Sequence, residues 1–269
     1  MEVPVRALGP FLLVASLACL LPGQQPQSSS AKSDGGTATV MHDGGVDQVL
    51  QSIYIPPMLK APFTAIVHTQ WIRPLPDGGT FTLVNQRQVA RDSAGRIYEE
   101  RWLLVPKDGQ TESRMNVIQI ADPSVHTLYN CFTLNTPHRC VLLTFAESAM
   151  ETYRPAIMVS GALPNGNGFS THTDLGAETV SGVDTQGARD TVTYNPGAIG
   201  NDRQFNRIRE FWFAPSLGIN LRSEVTDPSF GRQIFTVTDV STSEPDPKLF
   251  EIPEGFAIVD HRKPAAPSQ

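Results

Sequence analysis

Along most of this chain hydrophobic residues recur with a period of two, and short clusters of Pro, Gly, Asn and Asp interrupt them. Phe63 to Ile72 alternates and ends at Pro74-Leu-Pro-Asp-Gly-Gly79. Thr80 to Arg91 and Arg96 to Val105 read as the next two strands. Asp92-Ser-Ala-Gly95 joins them, with the composition of a type I turn leading into a glycine bulge. The same logic places a turn at Asp184-Thr-Gln-Gly187, between strands Glu178–Val183 and Ala188–Tyr194. Pro215-Ser-Leu-Gly218 and Asp227-Pro-Ser-Phe-Gly231 turn the chain around strands Arg207–Phe213, Ile219–Thr226 and Arg232–Val240. About ten strands, most joined to their sequence neighbours by tight turns, make an antiparallel meander, so the fold class is mainly β (α+β).

Two stretches read as helix. Val46, Val49, Leu50 and Ile53 fall at i, i+3, i+4 and i+7, which predicts one short amphipathic helix stopped by Pro56-Pro57. Glu147 to Pro155, with Ala149, Met150 and Tyr153, has the character of a second helix lying on the sheet. Gly161 to Gly168 reads as a mobile surface loop and Tyr194 to Asp202 as a long irregular piece. Glu244-Pro-Asp-Pro-Lys-Leu-Phe-Glu-Ile-Pro-Glu-Gly255 reads as a turn that tucks Leu249, Phe250 and Ile252 against the core. No composition break marks a linker, so residues 46–260 are expected to form a single domain, followed by a disordered tail over 261–269.

A one-sided meander buries one face and wets the other. Ile219, Leu221 and Val225 alternate with Asn220, Arg222, Glu224 and Thr226 in that manner. Other strands depart from it. Ile208 and Trp212 share a face with Glu210, while Phe211 and Phe213 share the opposite face with Arg207 and Arg209. Trp102 and Leu104 likewise oppose Leu103 and Val105. Both faces are apolar near one end of these strands, so a helix or a ligand is expected on each side. Trp102, Leu104, Phe211, Trp212 and Phe213 are therefore the candidate ligand-binding residues. Ile199, held between Gly197 and Gly200, joins them as a cap on a cavity mouth or as a plug in the core.

The N-terminus reads as an address. Arg6 precedes the apolar run Phe11 to Leu21, which Pro22-Gly23 ends; this matches a secretory signal over residues 1–23. The run is short for a bilayer span. The mature protein is expected to be soluble and periplasmic or secreted, with a lipid anchor at Cys19 as the alternative. Residues 24–45, rich in Gln, Ser and Gly, read as a flexible leader. Export bears on Cys131 and Cys140, which flank the turn signal Asn135-Thr136-Pro137. A turn centred between Asn135 and Thr136 sets the two cysteines opposite each other across a hairpin, within disulfide reach. A structural staple is the expectation in an oxidising compartment.

Charge and chemistry narrow the functional classes. Lys plus Arg is 21 against Asp plus Glu 27, a formal charge of −6, with no basic stripe for nucleic acid. Charged residues are 18%, below the roughly 25% of average domains. The chain carries no G-x-S-x-G, H-E-x-x-H, P-loop or G-x-G-x-x-G pattern, so no catalytic residues and no cofactor are assigned. The six His residues are scattered, and no metal is assigned. His172 and Asp174 stand two apart on one strand face and read as a hydrogen-bonded surface pair. Glu99 and Glu100 point to opposite sides of a strand and read as solvated. Trp71, Trp102 and Trp212 read first as core residues.

Arg91-Asp-Ser-Ala-Gly-Arg-Ile-Tyr-Glu-Glu100, Leu175 to Val183, Pro196-Gly-Ala-Ile-Gly-Asn-Asp202 and Arg209-Glu-Phe-Trp-Phe-Ala-Pro-Ser216 together resemble a family of exported acidobacterial proteins with no assigned activity. The match continues through Glu244–Pro253 and covers most of the mature chain. More distantly, the helix, the long meander and the closing Asp246-Pro-Lys-Leu-Phe-Glu-Ile-Pro253 are similar to periplasmic lipoprotein-carrier (LolA-like) and sigma-regulator sensor folds. That resemblance implies a half-barrel sheet wrapped around one or two short helices, with an apolar hollow for acyl chains. Function then reads first as a non-enzymatic binding module for a lipid or other apolar ligand. The second reading is an envelope interaction or sensor protein that presents a sheet edge or loops to another protein. An enzyme, with Asp202 or Glu210 as its acid, ranks last.

Overall fold

In strand β2 (Phe63–Pro74) every second side chain from Phe63 to Trp71 is buried, and the residues between them are half-buried. The face bearing Phe63, Ala65 and Val67 is called inner here, and the face bearing Ile66 and His68 outer. The computed structural model describes residues 48–49, 53–107, 110–145 and 158–262. The further strands are β1 (Gln48–Val49), β3 (Thr80–Arg91), β4 (Ile97–Lys107), β5 (Gln110–Asp122), β6 (Thr127–Phe132) and β7 (Arg139–Thr144). Then follow β8 (Gly161–Ala162), β9 (Gly168–Val180), β10 (Val183–Tyr194), β11 (Phe205–Ala214), β12 (Ile219–Asp227), β13 (Gly231–Ser241) and β14 (Ala257–Asp260).

All of them join one open, curved sheet in the order β14-β7-β6-β5-β4-β3-β2-β13-β12-β11-β10-β9-β8, with β1 attached to β4. Two meanders, β2 to β7 and β8 to β13, meet along the β2–β13 ladder, where Val67 faces Val237. Among the described residues every pairing is antiparallel except that of β14 with β7. Curvature shows in the core. Phe63, Val67, Val89, Ile97 and Ala121 come from β2 to β5; they share one buried cluster with Ile219, Leu221 and Val237 of β12 and β13.

The end of this cluster is closed by an extended segment. Ile53, Ile55 and Pro56 are buried while Tyr54 between the isoleucines is exposed. Arg91, fully buried on β3, donates to the carbonyl oxygens of Pro56 (2.7 Å), Ala61 (2.8 Å) and Leu217 (2.8 Å). The turn at Leu217 needs Gly218: at φ +67, an added Cβ would sit 2.3 Å from the Met58 sulfur.

The helix predicted over Val46–Ile53 is not formed in its described part. Gln48–Val49 is a strand, paired with Leu104 and Leu103 of β4. The spacing of Val46, Val49, Leu50 and Ile53 fits a helix, but Ile53 and Ile55 bury at a period of two, and an open strand edge supplies main-chain partners. Among the described residues the only helices are short 3-10 turns, at Pro123–Val125, Pro164–Gly166 and Pro247–Phe250. The predicted helix over Glu147–Pro155 lies outside the described residues.

The turn placed at Asp184–Gly187 is instead at Ser181-Gly182, both with positive φ. Such a two-residue link matches the twist of a hairpin; Gly187 marks a bulge inside the ladder. The loop expected over Gly161–Gly168 is partly paired, because Gly161 and Ala162 form β8 against β9. Cys131 and Cys140 face each other in the β6–β7 ladder and are disulfide-bonded, in the expected register. Phe250 is buried on the outer face against Ala90, Tyr98 and Ile120, with Leu249 packed beside it. There the chain's own C-terminal segment covers β4, in place of a helix or a ligand.

Candidate functional site

Strands β3 and β4 pair only from Val89–Glu99 to Arg91–Ile97, then part. At the point of parting the Glu100 carboxylate replaces a strand neighbour. One oxygen accepts the Gln88 main-chain N–H at 3.0 Å and the Trp102 indole N–H at 3.1 Å. The other oxygen accepts the Tyr98 hydroxyl at 3.1 Å. Burial and the neighbouring Glu100 charge hold the Tyr98 phenol above its ordinary pKa.

The fork so opened holds a cavity of about 680 Å³. Its apolar lining is Ile66, Val84 and Trp102. Gln86, Gln88, Glu100 and His68 supply polar groups from the outer face, and His68 is also hydrogen-bonded to Thr238 at 2.9 Å. Asn85, Arg87 and Ser113 reach it from the other side of the opening. The Asn85 amide donates to the Ser113 hydroxyl at 2.9 Å and so links β3 directly to β5.

Behind this opening a polar row crosses the inner face. Arg87 is 1% exposed and donates to Asn85 (3.2 Å) and to the Thr69 hydroxyl (2.9 Å). Glu99 pairs with Arg101 at 2.9 Å; Arg101 donates to Gln119 at 2.6 Å, and Gln119 to Asn130 at 2.9 Å. Burial raises the Glu99 pKa, opposed by the charges of Arg101 and then Arg87. Burial, with a smaller contribution from Arg101, lowers the Arg87 guanidinium to about 10. Glu99 and Glu100 do point to opposite faces, but the expectation that both are solvated is corrected: Glu99 is 7% exposed, and Glu100 is half-buried with its carboxylate taken up by three protein donors. The signal in the sequence was the run Asn85-Gln-Arg87-Gln, which puts polar side chains at the inward parity set by Leu83 and Val89.

Of the sequence candidates, Trp102 lines the cavity. Leu104 lies on the same strand, between Gln48 and Ser113, and its side chain lies outside the described part. The others are elsewhere. Phe211 is buried beneath the Arg209 guanidinium, 4.6 Å from the ring centre. Trp212 lies between Gly187 and the Arg222 guanidinium, which is 3.6 Å from its ring centre. Phe213 is half-buried opposite Asn220, and Ile199 is 60% exposed in a turn. The structure thus does not bring the six together. His172 pairs with Asp190 of the neighbouring strand at 2.6 Å rather than with Asp174, which accepts the Gly176 N–H. Asp202 is exposed beside Arg203, and Glu210 pairs with Arg189. Among the described residues no group of three or more His, Cys, Asp or Glu could hold a metal ion, and no helix is long and apolar enough to cross a membrane.

No family model matches the chain, and no curated protein matches it. Solved structures do. The Pseudomonas aeruginosa MucA/MucB complex matches 73% of this chain at 12% identity and a TM-score of 0.36. The Mycobacterium tuberculosis lipoprotein LppX matches 70% at 12% identity and a TM-score of 0.31. A putative outer membrane lipoprotein-sorting protein domain from Vibrio parahaemolyticus matches 70% at 8% identity and a TM-score of 0.21. The alignment spans 57% of the first of these chains and 89% of each of the other two.

Proposed function

We propose that this chain is an exported, non-enzymatic binding module and that the fork between β3 and β4 is its binding site. The observation that carries the reading is the parting of two neighbouring strands around a cavity of about 680 Å³, a size typical of ligand sites. Ile66, Val84 and Trp102 offer a wall for an apolar chain, and Gln86, Gln88 and Ser113 offer groups to orient a polar end. The ligand class that fits this lining is a lipid or other molecule with an apolar chain and a polar end. Titration with a dansylated fatty acid tests it: dye fluorescence rises on binding, and Trp102→Ala weakens uptake. Repeated recovery of empty protein by native mass spectrometry, with no dye uptake, overturns the lipid reading.

A second reading is a protein partner held at a sheet edge. The observation that favours it is the stretch of β3 from Thr80 to Gln88, which has β2 on one side and, among the described residues, no strand paired on the other.

A further inference from the structure

We infer that the fork binds an extended segment of another protein by strand addition, with the β3 edge at Val84 and Gln86 as the acceptor. This rests on the second reading, a protein partner held at the stretch of β3 paired on one side, and names the acceptor residues and the mode of binding; a lipid in the fork is the competing occupant that the test separates. In an antiparallel strand the main-chain groups of alternate residues point to the same side. The Gln88 N–H points toward β4, where it meets Glu100. The N–H and C=O groups of Gln86 and Val84, two and four residues earlier, therefore point the same way. Among the described residues no main-chain group meets them there.

An open row of donors and acceptors at strand spacing is matched by another extended main chain. An acyl chain has no such groups. The fork already recognises its own chain in this manner, since Gln48 and Val49 add to β4 at Leu104 and Leu103. With that prong occupied, the accepting edge is that of β3. Val84, 61% exposed, stands beside the edge as an apolar contact. Ile66 and Trp102 offer further contacts for the alternate side chains of the incoming strand that lie on the outer face, while the ones between them turn to the inner side of the opening, where Asn85 and Ser113 suit small polar groups.

The probe is a short peptide alternating threonine and valine between terminal lysines, titrated against the full chain. Its partner is the same peptide with alternate amides N-methylated, which keeps every side chain and removes the edge hydrogen bonds. The expected result is binding of the parent peptide, slowed hydrogen exchange at the Val84 and Gln86 amides, and affinity at least about tenfold lower for the methylated peptide. Gln86→Pro removes a donor that faces away from β2 and weakens parent binding by about tenfold. Should that variant fail to fold, the methylated peptide against the unaltered protein still decides. Equal binding of both peptides, or no change in exchange at Val84 and Gln86, overturns strand addition. Uptake of the dansylated fatty acid without binding of the parent peptide overturns it too, but leaves the fork as a binding site; failure of both probes ends both readings.

Discussion

Arg91 on β3 donates to the carbonyl oxygen of Leu217, 126 residues further along the chain, at 2.8 Å. The same guanidinium holds Pro56 and Ala61, so one side chain fastens the closing segment and the β11–β12 turn to the end of the core. Its other neighbour is the Phe63 ring, 5.1 Å from the guanidinium carbon.

Arg91→Met is expected to destabilise the protein by about 3 kcal/mol or more, because three carbonyl groups lose a charged donor in a site with little water. Arg91→Lys should recover part of this, since an ammonium cannot reach all three oxygens in the same geometry. Urea unfolding of both variants checks the order.

Glu99 gives a pH signature. Its folded-state pKa is raised by burial, so its contribution to stability is complete below the ordinary carboxylate pKa and declines as the pH rises through the folded value. The stability of the protein relative to Glu99→Gln should therefore fall between about pH 4.5 and the folded-state pKa, and level off above it. Urea midpoints of the two proteins across that range give the difference directly.

Replacing both Cys131 and Cys140 by Ala is expected to cost about 2–3 kcal/mol, the chain-entropy value for so short a loop. Denaturation with and without reductant should show the effect in the parent protein and none in the variant.

Gly187→Ala brings a Cβ to 2.8 Å from the Trp212 indole nitrogen and 3.1 Å from the Leu175 Cβ. Overpacking of this kind costs about 1–3 kcal/mol. The indole must also leave the Arg222 guanidinium, so a change in tryptophan emission should accompany the loss of stability.

Local features were legible in the sequence wherever turn chemistry and alternation agreed. Strand β3 runs from Thr80 to Arg91 as read, and the symmetry of the turn at Asn135-Thr136 placed Cys131 opposite Cys140. Asp246 caps a 3-10 turn that buries Phe250, as the tail's composition implied. Two kinds of feature were not legible. Where two signals competed, as Ser181-Gly182 did with Asp184–Gly187, composition alone did not decide. Where the partner is remote, period two gives the face of a residue but not what it meets. Glu99 was seen to oppose Glu100, yet its burial depends on β3 and β5 lying on either side. The fork could not be foreseen at all, because it follows from the point at which pairing stops.

Residues 242–260 run across the end of the first meander. Ser93 at the β3–β4 turn hydrogen-bonds to Glu244, Arg96 lies over Phe250, His138 stacks on Phe256, and Ala257 to Asp260 finish beside β7. A ribosome makes this belt after every strand it fastens. The first meander therefore emerges with the outer side of Tyr98 and Ile120 bare and the β7 rim unclaimed, and it must stay clear of neighbouring nascent chains until residue 260 arrives.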